Sequence, residues 1–256
     1  MFTKAIVRLP CSNFGDGETR ATLGAPDYLR AVQQHEAYCA ALESCGLMLT
    51  RLEADPRFPD STFVEDTAVL TRHCAVLTQP GAASRVGEVT EIKGVLAQFY
   101  SKLHTIRRPG TLDGGDVCEA ENHLFIGISK RTNEAGAQQL ATLLSAFDYT
   151  SSFVDIRDLD SILHLKSGLA YLGRNRLVVC EALAERAEFS AYDLVRVDPA
   201  EEYAANCVVV NERVLTAAGC SMFEDRLRGM GLEMTALDMS EFQKMDGGLS
   251  CLSLRF

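Results

Sequence analysis

Apolar and polar residues along this chain alternate in short paired runs, then recur at helical spacing, then alternate again. Residues 63–77, 116–128, 168–180 and 206–215 each read as two β-strands joined by a polar turn. The turns fall near Arg72-His73, Glu121-Asn122, Gly173-Arg174-Asn175 and Asn211-Glu212. A helix-spaced stretch and another apolar strand follow: 87–99 leads to 103–107, 132–147 to 153–156, and 223–229 to 233–237. A weaker helical pattern at 182–189 precedes a strand at 193–197. Near the start, residues 26–45 place Leu29, Val32, Tyr38 and Leu42 at helical intervals and lead to a strand at 47–52.

The unit strand–strand–helix–strand is therefore used five times. Asp66 and Asp116 are 50 positions apart, and Asn206 and Cys251 are 45 apart, periods that suit propellers and arrays. The strands at 4–9 and 250–256 have no hairpin partners of their own, and pairing them closes the ring and removes two sheet edges. The pattern predicts a closed, pseudo-five-fold α/β propeller of ββαβ modules, with residues 1–256 forming one catalytic domain. A conventional open α/β sheet is the alternative and leaves those two end strands unexplained.

The polar clusters make sense only in such a ring. They are residues 58–66 with Asp60, Glu65 and Asp66; Leu112-Asp113-Gly114-Gly115-Asp116; His164-Leu165-Lys166-Ser167; and Asp246-Gly247-Gly248-Leu249-Ser250-Cys251. Each lies just before or at the start of a module's first strand, and in a ring those strand ends converge on the axis. Asp66 and Cys251, more than 180 positions apart, then share one pocket. One thiol, one histidine and several carboxylates are the parts of a thiol catalyst acting on a cation.

Composition narrows the class. The chain is 47% hydrophobic and 23% charged, ordinary for a globular protein. A net charge of −10 argues against a nucleic-acid surface. No apolar run approaches a membrane span, and the first ten residues lack a signal-peptide core. Nine scattered cysteines, none in a Cys-x-x-Cys pair, fit neither a disulfide framework nor a zinc site and point to a reducing cytoplasm. Singly, each candidate has an ordinary structural reading. His164 could be a satisfied core histidine, Asp113 and Asp116 turn residues, and the arginines surface ion-pair partners.

The ordered set of 58–66, 80–85, 112–116, 129–133, 164–169, 204–207 and 246–251 resembles the dimethylarginine dimethylaminohydrolases of the guanidino-group modifying superfamily, along essentially the whole chain. The resemblance implies the five-fold pentein propeller and hydrolysis of Nω-methylated arginines to citrulline and an amine. It implies Cys251 as nucleophile, His164 as general acid/base and Asp113 as the acid that orients it. Asp66 and Glu65 become the guanidinium-binding carboxylates, Arg85 and Arg131 the pair for the substrate α-carboxylate, and Asp60 with the backbone of Met245 the contacts to the amino-acid end. No metal and no organic cofactor are expected, although zinc could inhibit at the Cys251–His164 pair. The partner is a small molecule, and a homodimer is kept open as the assembly. Residues 13–23 fit a mobile flap, in which Glu18 departs from relatives that carry leucine. The alternatives are an arginine deiminase or amidinotransferase on the same fold, a non-catalytic ribosome-subunit-binding propeller, and a thiol protease. The binding propeller leaves Cys251, His164 and the carboxylates unexplained, and for the protease Arg85, Arg131 and the two acids suit a free amino acid better than a peptide.

Overall fold

The strand β1 (Lys4–Arg8) is followed by helix α1 (Tyr28–Ser44) and by β2 (Met48–Leu52), which lies parallel to β1. This computed structural model describes residues 1–256. Next come β3 (Ala68–Leu70), β4 (Ala75–Leu77), α2 (Val89–Leu96) and β5 (Leu103–Thr105). The third module holds β6 (Val117–Ala120), β7 (His123–Ile128), α3 (Glu134–Ser145) and β8 (Thr150–Asp155). Strands β9 (Leu169–Gly173), β10 (Arg176–Val179) and β11 (Asp193–Arg196) form the fourth. The fifth holds β12 (Val208–Val210), β13 (Arg213–Ala217), α4 (Ser221–Gly229) and β14 (Glu233–Leu237), after which a short helix α5 (Ser240–Gln243) leads to β15 (Leu254–Arg255).

These strands make five separate three-stranded sheets. In four of them a tight hairpin gives an antiparallel pair, and a crossover returns the chain parallel to the middle strand. A parallel return needs a long connection, which the helices supply. The sheet of the first module is completed by the two ends of the chain: Ala5 pairs with Arg255 and Ile6 with Leu254, antiparallel. The unit and its closure match the pattern read from the chain, as does the class, a mixed α/β propeller of the pentein type.

Two helix starts follow from local chemistry. Asp27 caps α1 by accepting the Arg30 N–H at 3.0 Å, and Asn133 caps α3 by accepting the Gly136 N–H at 2.8 Å. The helical pattern at 182–189 does not become a helix. The crossover is instead two 3-10 turns, Glu181–Leu183 and Ala187–Phe189. Leu183 and Phe189 are both buried in one apolar core. Six residues apart, they would lie on different sides of an α-helix, so anchoring both breaks the segment in two.

The first strands of the modules line the inside of the ring, β15 beside β3, β6 beside β9, and β9 beside β12. A 3-10 turn precedes each: Val64–Thr67, Gly114–Asp116, Leu165–Ser167, Pro199–Ala205 and Ser250–Leu252. Neighbouring turns touch, so these segments gather at one end of the axis. A cavity of about 890 Å³ opens at the other end, among the hairpin turns.

Candidate active site

The gathered 3-10 turns carry the polar clusters, and their shape decides where each side chain goes. With three residues per turn, adjacent side chains point about 120° apart. Asp66 and Glu65 accordingly face different ways. Asp66 is buried in the ring of turns: its Oδ1 accepts the Gly115 N–H at 2.8 Å and its Oδ2 pairs with Arg85 Nη1 at 2.5 Å. Glu65 faces the axial cavity, where Lys166 Nζ lies 2.6 Å away, Ser250 Oγ 2.8 Å and Arg255 Nη2 3.5 Å. Only Asp66 of the two lines the pocket that contains Cys251.

That pocket also holds His164, Asp60, Arg85, Arg131, Met245 and Glu18. It is small, with about 20 Å³ of free volume, roughly room for one water. Asp113 stands behind the histidine, fully buried, with Oδ2 3.0 Å from His164 Nε2 and Oδ1 accepting the Gly81 N–H at 2.8 Å. The bond from Asp113 fixes the ring and leaves the other nitrogen to the pocket. Asp116 is buried beside it, accepting from Leu165 N–H at 3.0 Å and Ser129 Oγ at 2.6 Å. Gly114 lets the backbone of this turn pass against the carbonyl of Glu65, where a Cβ would collide.

The charges set a resting state. Burial works against a proton on His164, but Asp66, Asp116 and Asp113 outweigh it and push the imidazole up to about 9. Burial also disfavours the Asp66 anion, but His164, Arg85 and the Gly115 N–H hold it down at about 2. Burial pushes the Cys251 thiol up to about 12, with Glu65 and Asp66 adding repulsion. Asp116 rises to about 6, again chiefly through burial. These surroundings favour the protonated form of both His164 and Cys251.

Arg85 and Arg131 differ sharply. Arg85 is buried, and its guanidinium binds both oxygens of Glu88, Asp66 Oδ2 and the carbonyls of Asp60 and Phe63, leaving one N–H of Nη1 without a partner. Arg131 is a freer cation at the mouth, 2.8 Å from Glu18 Oε2. Asp60 Oδ2 accepts the Glu18 N–H at 3.0 Å, while its buried Oδ1 has no partner at all. Met245 lines the pocket beside it, and its carbonyl takes no protein donor.

Sequence reasoning missed three supporting residues. Glu88 neutralises Arg85 in the interior. Asn206 ties the Cys251 turn to the next module: its Oδ1 accepts the Ser250 N–H at 3.0 Å, and its amide donates to Lys166 O and Ser250 Oγ. Asp246 anchors the flap, accepting from Thr19 Oγ1 and the Arg20 N–H. Asn206 could have been found by aligning the module starts, since it precedes β12 as Asp66 and Asp116 precede β3 and β6.

Ligand atoms of Asp66, Asp113 and His164 lie within 4.8 Å of one another, a spacing that could hold a metal ion. A cation there would have to displace the His164 proton and compete with Arg85 for Asp66. The donor set suits an ion-paired acid–base unit better than a resident metal.

Residues 54–218 match the family model described as arginine deiminase. The N(G),N(G)-dimethylarginine dimethylaminohydrolase of Pseudomonas aeruginosa is 42% identical over 257 residues, covering all of both chains. The Streptomyces coelicolor protein of the same name is 33% identical over 98% of this chain and 96% of its own. Among solved structures, a cysteine-to-serine variant of the Pseudomonas aeruginosa enzyme, complexed with citrulline, superposes with a TM-score of 0.97 at 42% identity over the full length of both.

Proposed function

This chain belongs to the dimethylarginine dimethylaminohydrolases of the arginine deiminase family, and we propose that its Cys251 attacks the guanidinium carbon of a methylated arginine. The protein is a hydrolase of Nω,Nω-dimethylarginine and Nω-methylarginine, giving citrulline and dimethylamine or methylamine. The observation that carries the residue roles is the pocket itself, which joins a thiol, an imidazolium and a buried carboxylate with a cation and an unpaired carboxylate oxygen at its mouth.

The substrate enters with its guanidinium toward Asp66, a carboxylate that stays ionised because Arg85 and His164 hold it so. Its α-ammonium finds the unpaired Oδ1 of Asp60 and the Met245 carbonyl, and its α-carboxylate finds Arg131 with the remaining N–H of Arg85. Arg85 thereby acts mainly as the pillar that fixes Asp66 and the backbone of residues 60–63. Glu65 contributes less directly than the sequence suggests: it positions Ser250, and through it the Cys251 turn.

Burial, and after it the charges of Glu65 and Asp66, opposes ionisation of the thiol. A guanidinium bound beside it supplies the opposite charge and draws its pKa down, so that the thiol proton passes to solvent as the substrate binds. The thiolate then attacks the guanidinium carbon, forming a C–S bond and a tetrahedral adduct. His164 gives its proton to the departing amine nitrogen as the C–N bond breaks, leaving a thiouronium. Neutral His164 next takes a proton from water, whose oxygen adds to the same carbon; the C–S bond breaks with its electron pair on sulfur, the added hydroxyl gives its proton to that thiolate, and the neutral ureido product leaves. Citrulline has lost the cationic end that Asp66 held, so release is favoured.

Residues 1–256 act as one catalytic unit on a small-molecule partner, and the net charge of −10 argues against a nucleic-acid surface. No helix is long and apolar enough to cross a membrane. The test is citrulline formation from asymmetric dimethylarginine in chelator-treated buffer by the wild type and Cys251→Ser. Turnover that vanishes in the variant is expected. Activity surviving in the variant would remove Cys251 from the mechanism, and turnover of arginine instead of its methylated forms would move the assignment to a deiminase.

A further inference from the structure

Glu18 sits at the tip of the flap, and its surroundings are unusual for a surface acid. Its backbone N–H is held by Asp60 Oδ2 at 3.0 Å, and the next two residues are held by Asp246 and by the Lys244 carbonyl, so the flap delivers the side chain to one place. There, Oε2 lies 2.8 Å from Arg131 Nη2, and Oε1 accepts from Ser84 Oγ. Arg131 is mostly buried, 15% exposed, and it is the least committed cation of the pocket. Ser84 and Arg131 thus already grip a carboxylate at the mouth, and that carboxylate belongs to the protein.

We propose that Glu18 is a specificity-determining residue whose carboxylate occupies the seat of the substrate α-carboxylate, so that an amino-acid substrate binds only by displacing it. The proposal rests on the reading of Arg131 as the α-carboxylate receptor. Two carboxylates cannot share one guanidinium edge at contact distance without strong repulsion. The Ser84 hydroxyl and the Arg131 charge, with Arg85 behind, keep Glu18 below the usual carboxylate range and hence ionised throughout the neutral region. The competitor is always present, at the high effective concentration of a tethered group. It discriminates against α-carboxylate substrates but not against the same methylguanidino side chain lacking that group. An ammonium-binding role for Glu18 is disfavoured by its partners, which are a guanidinium and a hydroxyl donor.

The experiment compares the wild type with Glu18→Gln and Ser84→Ala. KM is measured for asymmetric dimethylarginine and for its decarboxylated analogue, and Kd for citrulline is measured with Cys251→Ser present. Glu18→Gln should lower KM for the amino acid and Kd for citrulline by about two- to fivefold, the range a partly exposed ion pair supplies. Ser84→Ala should lower both by less. KM for the decarboxylated analogue should move by less than about twofold. Unchanged amino-acid KM in a folded Glu18→Gln protein overturns the proposal, and so does a raised one, which would place Glu18 at the ammonium end. If Glu18→Gln does not fold, Ser84→Ala decides by the same readout. Failure of the wild type to process methylated arginines or bind citrulline would instead overturn the active-site reading on which the proposal stands.

Discussion

At the scale of single residues, the site is a problem of buried charge. His164 keeps its proton up to about 9, against 6.5 for an unperturbed histidine, because Asp66, Asp116 and Asp113 surround it. A group raised in this way stabilises the fold fully below 6.5, and that contribution is lost as pH rises through 9. The melting temperature of the wild type should therefore fall across this window, and His164→Gln should flatten the trend; equal slopes would remove His164 as its origin. The same proton protonates the leaving amine, so kcat/KM should fall on the alkaline side as His164 deprotonates. Asp116→Asn removes one of the three anions while its side chain still fits between Leu165 N–H and Ser129 Oγ. It should move that alkaline limb to lower pH, and an unmoved limb would show that Asp116 does not set the histidine. Arg85 supplies a second test of buried charge. Glu88→Ala leaves its guanidinium short of one counter-ion in the interior and should cost about 3–5 kcal/mol of stability, read by chemical denaturation. A loss below about 1 kcal/mol would mean that Arg85 is solvated in solution.

At the scale of elements, the decisive pieces are those the sequence signals least. Strands and hairpins were legible because alternation is a strong signal and because the turn residues Glu121, Arg174, Asn175 and Asn211 take positive φ, where polar residues are tolerated best. Helices with caps and an apolar face were legible too. The 3-10 turns at 64–67, 114–116 and 165–167 have no periodicity to detect, being three or four residues long. Their residues could be named as a cluster, but not aimed: nothing in Glu65-Asp66 says that one acid meets His164 and the other Lys166. The i,i+3 pair of Arg85 and Glu88, within another 3-10 segment, was hidden for the same reason. The turn that bears Cys251 makes the point experimentally accessible. Gly248 lies against the Asn206 amide so closely that any Cβ would collide, while that amide is pinned between Ser250 and the Lys166 carbonyl. Gly248→Ala should displace Cys251 and lower kcat by about 100-fold, as a misplacement of about 1 Å does, at a stability cost of about 1–3 kcal/mol that leaves the protein folded. A variant of unchanged kcat would show that the turn adapts and that its geometry does not govern the thiol.

At the scale of the whole molecule, the catalytic constellation exists only because the ring is closed. The closing strand β15 is two residues long, and its partner is β1, at the other end of the chain. Cys251 sits on the turn immediately before it, and Arg255 reaches back to Glu65 and to the carbonyls of Ser250 and Ser253. The position of the thiol relative to His164 is thus set by contacts between the two termini of the chain, with the intervening modules holding the frame. Removing residues 254–256 deletes no residue assigned to the chemistry, yet it frees the turn and exposes the edge of β1. Citrulline formation should be lost, while most of the far-ultraviolet circular dichroism is retained, because the other four sheets and the long helices are untouched. Leu254→Ala is the milder form: this buried side chain packs with Ile6 and Val64, and truncation should cost about 2–5 kcal/mol, with part of the activity recovered at low temperature. Full activity after removal of 254–256 would mean that the turn holds Cys251 by itself, through Asn206 and Gly248, and that closure serves stability alone.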